Sequence, residues 1–449
     1  MLSRSEGDLE SIRNGTFKVE FPEMSFRRVR GDDSPLIRGS GYASALASGE
    51  ISLQLITREK PDLFPLVTRG AAGELYQDDE LFAFEATDIL GERWVADRML
   101  LDSTHGPAGT LVQASPRSLV HSAARPRSQT HALIMVFLGE VQFHGDSLLT
   151  TRTWAGERVV HESSDRVFSA RKLERFEVEI LRRPEFLQVS VEGISPMPPD
   201  LASRVGEVLS FLLGRTMVCS YSFNIGPGGT SETFTKVDAS LRKRPAPFPP
   251  IAGDGPQERE GFWQLFERTL TYILQDAGKQ PSLAAALRYL DWDPGAGFSK
   301  QALSFGVGVE ALVKIVKPKG FSKINELERE KLLAAIAASG ASDEYKRRAD
   351  VMVKNMTNTS AKAALIEVVA ENGATSKLVK AWDRVRHPAS HGKSLELTQP
   401  SFDDLMATLT LGYCIAFKIV GYEGIFTDYS IRQWPLTRFP FPQRNAAGE

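Results

Sequence analysis

Ten residues, Arg384-Val-Arg-His-Pro-Ala-Ser-His391-Gly-Lys393, concentrate the side chains best suited to chemistry on phosphate. They bring together two arginines and two histidines in a chain with seven histidines in all. Arginine grips a phosphate through a planar fork of donors, and histidine takes and gives a proton near neutral pH. Together these are a minimal set for cleaving RNA, with arginine on the scissile phosphate and histidine as acid or base.

The stretch closes a helix predicted to start at Ser376. Leu378, Val379, Trp382 and Val385 recur at helical spacing and form one apolar face. Arg386 lies about 40° round from Trp382 and Arg384 about 160° away, so Arg386 flanks the packed face and Arg384 points to water. Pro388 has no N–H and disfavours the α region for His387, which predicts that the helix bends or ends there; Gly392 offers a left-handed stop. In an unbroken helix Arg386 and His391 would point about 140° apart. A bend, or a second copy of the site from a partner subunit, would let both face one phosphate. Two plainer readings stand beside this one. Basic residues at a helix C-terminus are favoured by the helix dipole alone. Asp383, His387 and His391 would align as metal ligands on a straight helix, but Pro388 interrupts the row and no dense His or Cys cluster supplies a fourth ligand. No metal and no cofactor is expected.

The elements around this motif divide the chain into an α+β protein. Residues 16–242 read as a β-rich, sandwich-like domain. Phe17, Val19 and Phe21 alternate with polar residues, as do Ile51, Leu53 and Leu55. Phe176, Val178 and Ile180, then Leu187, Val189 and Val191, flank a short turn and predict a hairpin. Leu133–Phe143 is a more continuous apolar strand, and one helix is expected over Pro199–Leu213. Residues 1–15 are read as a flexible N-terminus and the proline-rich residues 243–256 as a linker. Helices then dominate residues 257–430: Gln257–Gln275, Ser282–Leu290, Ser299–Val316, Ile324–Ala338, Asp343–Met356, Ala361–Glu371, the motif helix, and Phe402–Val420. Residues 431–449 are expected to be an irregular tail.

In that setting Arg386-His387-Pro-Ala-Ser-His391 resembles the motif of HEPN-domain ribonucleases, an arginine and a histidine separated by four to six residues, with a polar residue after the arginine and glycine after the histidine. Leu303-Ser-Phe-Gly-Val-Gly-Val-Glu310-Ala-Leu-Val resembles the helix of apolar run, glutamate and Ala-Leu common in these domains. The closing helix, ending Ile419-Val-Gly-Tyr-Glu-Gly424, is similar to the one that follows the motif. A β-rich domain feeding such a bundle resembles the ApeA-like branch of prokaryotic antiviral proteins.

The resemblance runs from Ser299 to Gly424 and is architectural before that. It implies an all-α HEPN-like bundle that dimerises, or assembles further, so that two motifs meet in one cleft. It also implies metal-independent RNA cleavage with the ribose 2′-hydroxyl as nucleophile. Arg386 would hold the phosphate, His391 would take the 2′-hydroxyl proton or protonate the leaving oxygen, and His387 would orient its neighbours or share the proton transfer. The expected role is that of an endoribonuclease effector of antiviral defence or abortive infection, with the β domain answering to a phage or host trigger. The alternative is a non-catalytic HEPN-fold interaction protein whose β domain binds a protein or other ligand.

Bulk properties narrow the classes. Lysine plus arginine (54) nearly balances aspartate plus glutamate (56), so no broad nucleic-acid-coating surface is indicated, and RNA selection would rest on shape around one cleft. Cys219 and Cys414 build no disulfide framework. The polar N-terminus does not read as a signal peptide, and Leu405–Phe417 falls short of the roughly 20 apolar residues of a membrane span. A reduced, cytoplasmic setting without membrane contact is therefore expected. Glu310 could reach the motif, although Lys314 four residues on offers an ordinary ion pair. Gly306 and Gly308 are read as close-packing positions. Gly226-Pro-Gly-Gly229 lacks the Lys-Ser/Thr of a phosphate loop and is read as a hairpin turn. The basic segment Arg117–Arg127 is read as a solvated loop. His105, His121, His131, His144 and His161 are read as capping or packing residues.

Overall fold

The computed structural model describes residues 11, 16–30, 37–45, 50–58, 76–78, 80–123, 131–138, 141, 145, 147–155, 158–173, 176–183, 186–193, 196–198, 200–236, 248–275, 279–293, 295–317, 326–355, 361–372, 374–390 and 394–441. His391, His144, residues 243–247 of the proline-rich segment and most of the N-terminal 1–15 lie outside the described residues, as do 124–127 of the basic segment. Two compact units result. One comprises residues 1–206 and 217–245, the other 207–216 and 246–449.

Period-two alternation builds the first unit. In Ile51–Thr57 every other side chain is buried, because successive residues of a strand point to opposite faces. Fifteen strands join one sheet in the order β10 (Ser147–Ala155), β11 (Arg158–Lys172), β12 (Glu177–Arg183), β13 (Phe186–Gly193), β9 (His131–Leu138), β14 (Cys219–Gly226), β15 (Gly229–Thr235), β8 (Ser118–Ala123), β5 (Arg93–Met99), β4 (Phe82–Thr87), β1 (Lys18–Arg28), β2 (Ile37–Ala45), β3 (Ile51–Thr57), β7 (Gly109–Ala114) and β6 (Asp102–Gly106). All the pairings are antiparallel. The expected hairpin is β12–β13, and Gly226-Pro-Gly-Gly229 turns β14 into β15, with Gly226 opposite Gly229. The terminal strand β6 is exposed along its whole length.

Phe21, Met24, Phe26, Leu53, Leu55, Phe82, Phe84, Trp94, Val112, Leu119, Val136, Tyr221 and Phe234 meet in one core. Phe21 meets Phe84 and Trp94 edge-on, with ring centroids 5.7 and 5.8 Å apart, a favoured aromatic geometry. Gly41 lets β2 and β3 approach closely, because a Cβ there would stand 1.9 Å from the Gln54 carbonyl oxygen.

The second unit is helical. Its elements are part of α1 (Leu201–Leu213), then α2 (Pro256–Gln275), α3 (Lys279–Arg288), α4 (Phe298–Val316), α5 (Glu326–Ala338), α6 (Asp343–Asn355), α7 (Ala361–Glu371), α8 (Ser376–Ser390) and α9 (Gln399–Val420). Nearly every residue of α9 from Leu405 to Val420 is buried, as a helix apolar all round requires. A capping box between Thr398 and Ser401 starts it, and Gly421 ends it at φ 68°. Helices α4 and α8 both pack on α9 and on each other. Among the described residues, no helix is long and apolar enough to cross a membrane.

Three expectations are corrected. The segment Arg117–Arg127, read as a solvated loop, carries strand β8 over Ser118–Ala123. Residues 424–427 and 436–439 pair as an antiparallel ribbon, so part of the stretch read as irregular tail is strand; its alternation is too short to be seen in sequence. Helix α8 also continues through Pro388 to Ser390, so of the expected bend or end there the end is excluded. Pro388 falls in the last turn, where its missing N–H removes one bond and its ring crowds only the Arg384 carbonyl.

Candidate functional site

Helix α8 presents the motif against α4. Its buried face is Leu378, Val379, Ala381, Trp382 and Val385, the face its periodicity predicts. The Trp382 indole Nε1 donates to the Gly306 carbonyl at 3.2 Å and fixes the crossing of the two helices. Arg386 follows one turn later. Its Nε donates to Glu310 Oε1 at 2.5 Å, and its guanidinium carbon lies 6.0 Å from the Trp382 ring centroid. The Arg386 side chain remains 37% exposed while Glu310 is 19% exposed, so the cation is anchored from beneath and open from above. Glu310 is thus joined to the motif arginine, a link between residues 76 apart.

Gly306 makes this approach possible. A Cβ there would stand 3.0 Å from both Cβ and Cγ of Arg386, tighter than ordinary packing. Gly308 similarly admits Tyr289 and Leu290. Gly306→Ala is expected to destabilise the helical unit by on the order of 1–2 kcal/mol through overpacking and to displace Arg386. Thermal unfolding and RNA cleavage measured on the same preparation check it.

The remaining motif residues separate. Arg384 is exposed, as expected, and its Nε and Nη2 grip the two oxygens of Asp404 on α9 at 2.6 and 2.5 Å. His387 is exposed on α8 and its carbonyl accepts from Ser390 Oγ at 3.0 Å. Asp383 accepts from Lys362 Nζ at 2.6 Å. The helix is unbroken at Pro388, but that ion pair engages the first residue of the Asp383–His387–His391 row. The structure therefore joins Arg386, Glu310 and Trp382; His391 lies outside the described residues.

A second constellation, in the sheet, was not legible as a site. The register sets Trp94 opposite His121 and His121 opposite Glu232, in one row across β5, β8 and β15. The His121 ring stacks on Trp94 with centroids 4.4 Å apart. Its Nδ1 lies 3.2 Å from Glu232 Oε2 and its Nε2 2.9 Å from Glu92 Oε2. Asp88 accepts from the Leu90 and Glu92 amides at 2.9 and 3.0 Å and from Trp94 Nε1 at 3.1 Å. Burial opposes ionisation of His121, but Glu232 and then Glu92 outweigh it and hold the imidazole above its usual value. Burial likewise opposes the Asp88 charge, and the amide and indole donors overcome it.

Other titratable groups are less suited to chemistry. Burial pushes the Cys219 thiol up to about 12 and the Cys414 thiol higher still, so neither is a thiolate nucleophile. His105 bonds Thr110 across β6 and β7. Burial pushes the Asp291 carboxyl up to about 7, against the Thr216 hydroxyl and the Arg288 charge.

Comparison of the chain with protein-family models, with curated proteins and with solved structures gave no match.

Proposed function

We propose that the helical unit is a metal-independent endoribonuclease of the HEPN type. In this reading Arg386 binds and stabilises the scissile phosphate. His391 acts on the 2′-hydroxyl or the leaving oxygen, and His387 assists. The observation that carries the reading is the anchoring of Arg386 by Glu310 and Trp382, which preorganises a partly exposed guanidinium at the motif. Preorganised charge of this kind favours a developing phosphorane over a ground-state phosphate.

Leu303 and Val307, 38% and 36% exposed, stand four residues apart on α4, the helix that carries Glu310. This partly apolar edge of the helix that carries Glu310 supports pairing with a second copy and a cleft made of two motifs. The same edge also favours the second reading, a HEPN-fold protein that pairs without cutting. In the first reading the sandwich-like β unit, ten of whose strands contribute to one core, restrains the nuclease until a phage or host trigger appears. The restraint follows from the toxicity of an unregulated RNase in its own cytoplasm, and it makes the protein an abortive-infection effector.

The test compares wild type with Arg386→Ala and His391→Ala for RNA cleavage in EDTA and for toxicity on expression. Cleavage by wild type in EDTA, lost in both variants, is expected. Equal behaviour of all three would remove the enzyme reading and leave the pairing one. A strictly monomeric protein would remove the composite cleft.

A further inference from the structure

We infer that Asp88, Glu92 and His121 form a divalent-cation site of the zinc class in the β unit, with Glu232 orienting the histidine. The inference goes beyond the nuclease reading and shares no residue with it. One ligand atom from each of the three residues lies within 4.8 Å of the others. A tetrahedral ion with bonds of about 2.1 Å sets its ligand atoms roughly 3.4 Å apart. The 2.9 Å between His121 Nε2 and Glu92 Oε2 then opens by about 0.5 Å, and the longest separation closes by no more than about 1.4 Å.

The imidazole is already arranged as a metal-bound one is. Its Nδ1 faces the Glu232 carboxylate, the usual outer partner of a ligating histidine, and this leaves Nε2 directed at Glu92. Stacking on Trp94 fixes the ring plane. Asp88 is fixed by three donors, two of them backbone amides of the β4–β5 turn.

Charge argues the same way. Three carboxylates surround one imidazole, and among the described residues no lysine or arginine pairs with Asp88, Glu92 or Glu232. Buried or half-buried anions in that excess are stabilised by a cation. An imidazole beside two carboxylates selects a borderline ion such as Zn2+ over Mg2+ or Ca2+. With Asp88 and His121 only 9% and 8% exposed, the site is enclosed, as structural sites are. It would tie the β4–β5 turn to the β8–β15 centre of the sheet.

The experiment is calorimetric titration of untagged full-length protein with ZnCl2, with MgCl2 and CaCl2 as comparisons, alongside thermal unfolding. Wild type is expected to bind one Zn2+ per chain and to melt higher when loaded. Glu92→Gln, isosteric and able to keep a hydrogen bond to the ring, is expected to weaken binding at least tenfold. Glu232→Gln is expected to weaken it by roughly 10–100-fold. Circular dichroism of each metal-free variant establishes that it folds, and Asp88→Asn stands in for either that does not. Absence of saturable Zn2+ binding to wild type, equal binding by the variants, or preference for Mg2+ or Ca2+ would overturn the assignment. Each of these leaves RNA cleavage at Arg386 untouched, so the two readings fail separately.

Discussion

Alanine in place of Arg386 is expected to slow RNA cleavage by about 10²–10³-fold, the range seen when one preorganised donor to a developing oxyanion is removed. The effect should fall on single-turnover rate more than on RNA affinity, because the guanidinium is placed to meet charge that grows in the transition state. Lysine keeps the charge but loses the planar fork, so Arg386→Lys should sit between wild type and alanine. Glu310→Gln retains an acceptor for Nε while removing the anion that positions the arginine. A loss of several-fold in rate with little change in affinity is expected there. Truncating Arg386 also leaves Glu310 half-buried without its partner, so thermal unfolding must accompany the kinetics. If the alanine variant remains folded and cuts at the wild-type rate, Arg386 does not contact the reacting phosphate.

Asp291→Asn is expected to stabilise the helical unit above neutral pH. Burial holds the Asp291 carboxyl at about 7, whereas in the unfolded chain it titrates near ~3.9. Between those values the native state binds the extra proton. The stability that the neutral acid contributes is therefore complete below about pH 4 and is lost as pH rises through about 7. Asparagine is neutral throughout and still accepts from the Thr216 hydroxyl, which lies 3.0 Å from the carboxylate. Wild type and variant should then melt together near pH 4. At pH 8 the variant should be more stable by about 2 kcal/mol, roughly half the full linkage value because the residue is only partly buried. Unfolding measured across pH checks the sign. A variant no more stable than wild type at pH 8 would mean that Asp291 ionises without penalty.

Much of the helical unit could be read from the chain because its signals are local. Apolar spacing fixed Ala361–Glu371 and the Trp382 face of α8, and one glycine-helped crossing followed from Gly306. What the chain leaves open or hides turns mostly on tertiary neighbours. For Glu310 the chain leaves two partners open, the motif or Lys314, and the folded one is Arg386 from another helix. Arg384 is exposed as its helical angle predicts, and its fork onto Asp404 of α9 is a partnership that local spacing does not carry. The prohibition against proline in a helix weakens in a last turn, so Pro388 did not stop α8. The sheet was legible as strands but not as an order, since pairing β9 with both β13 and β14 depends on contacts distant in sequence. For the same reason His121 passed as a packing residue. Its neighbours Asp88, Glu92 and Trp94 come from the β4–β5 turn and the start of β5, and Glu232 from β15, none of them near residue 121 in sequence.

The strand that ends the sheet, β6, has a consequence for how molecules meet at high concentration. An outer strand offers unpaired amides and carbonyls that can recruit another chain into an endless ladder. Here the recruiting segment is Asp102-Ser-Thr-His-Gly106, five exposed residues without a hydrophobe. A newcomer would gain backbone bonds there but exclude almost no water from apolar surface, and Asp102 would resist its own image. At this margin the molecule carries a built-in safeguard against fibril growth.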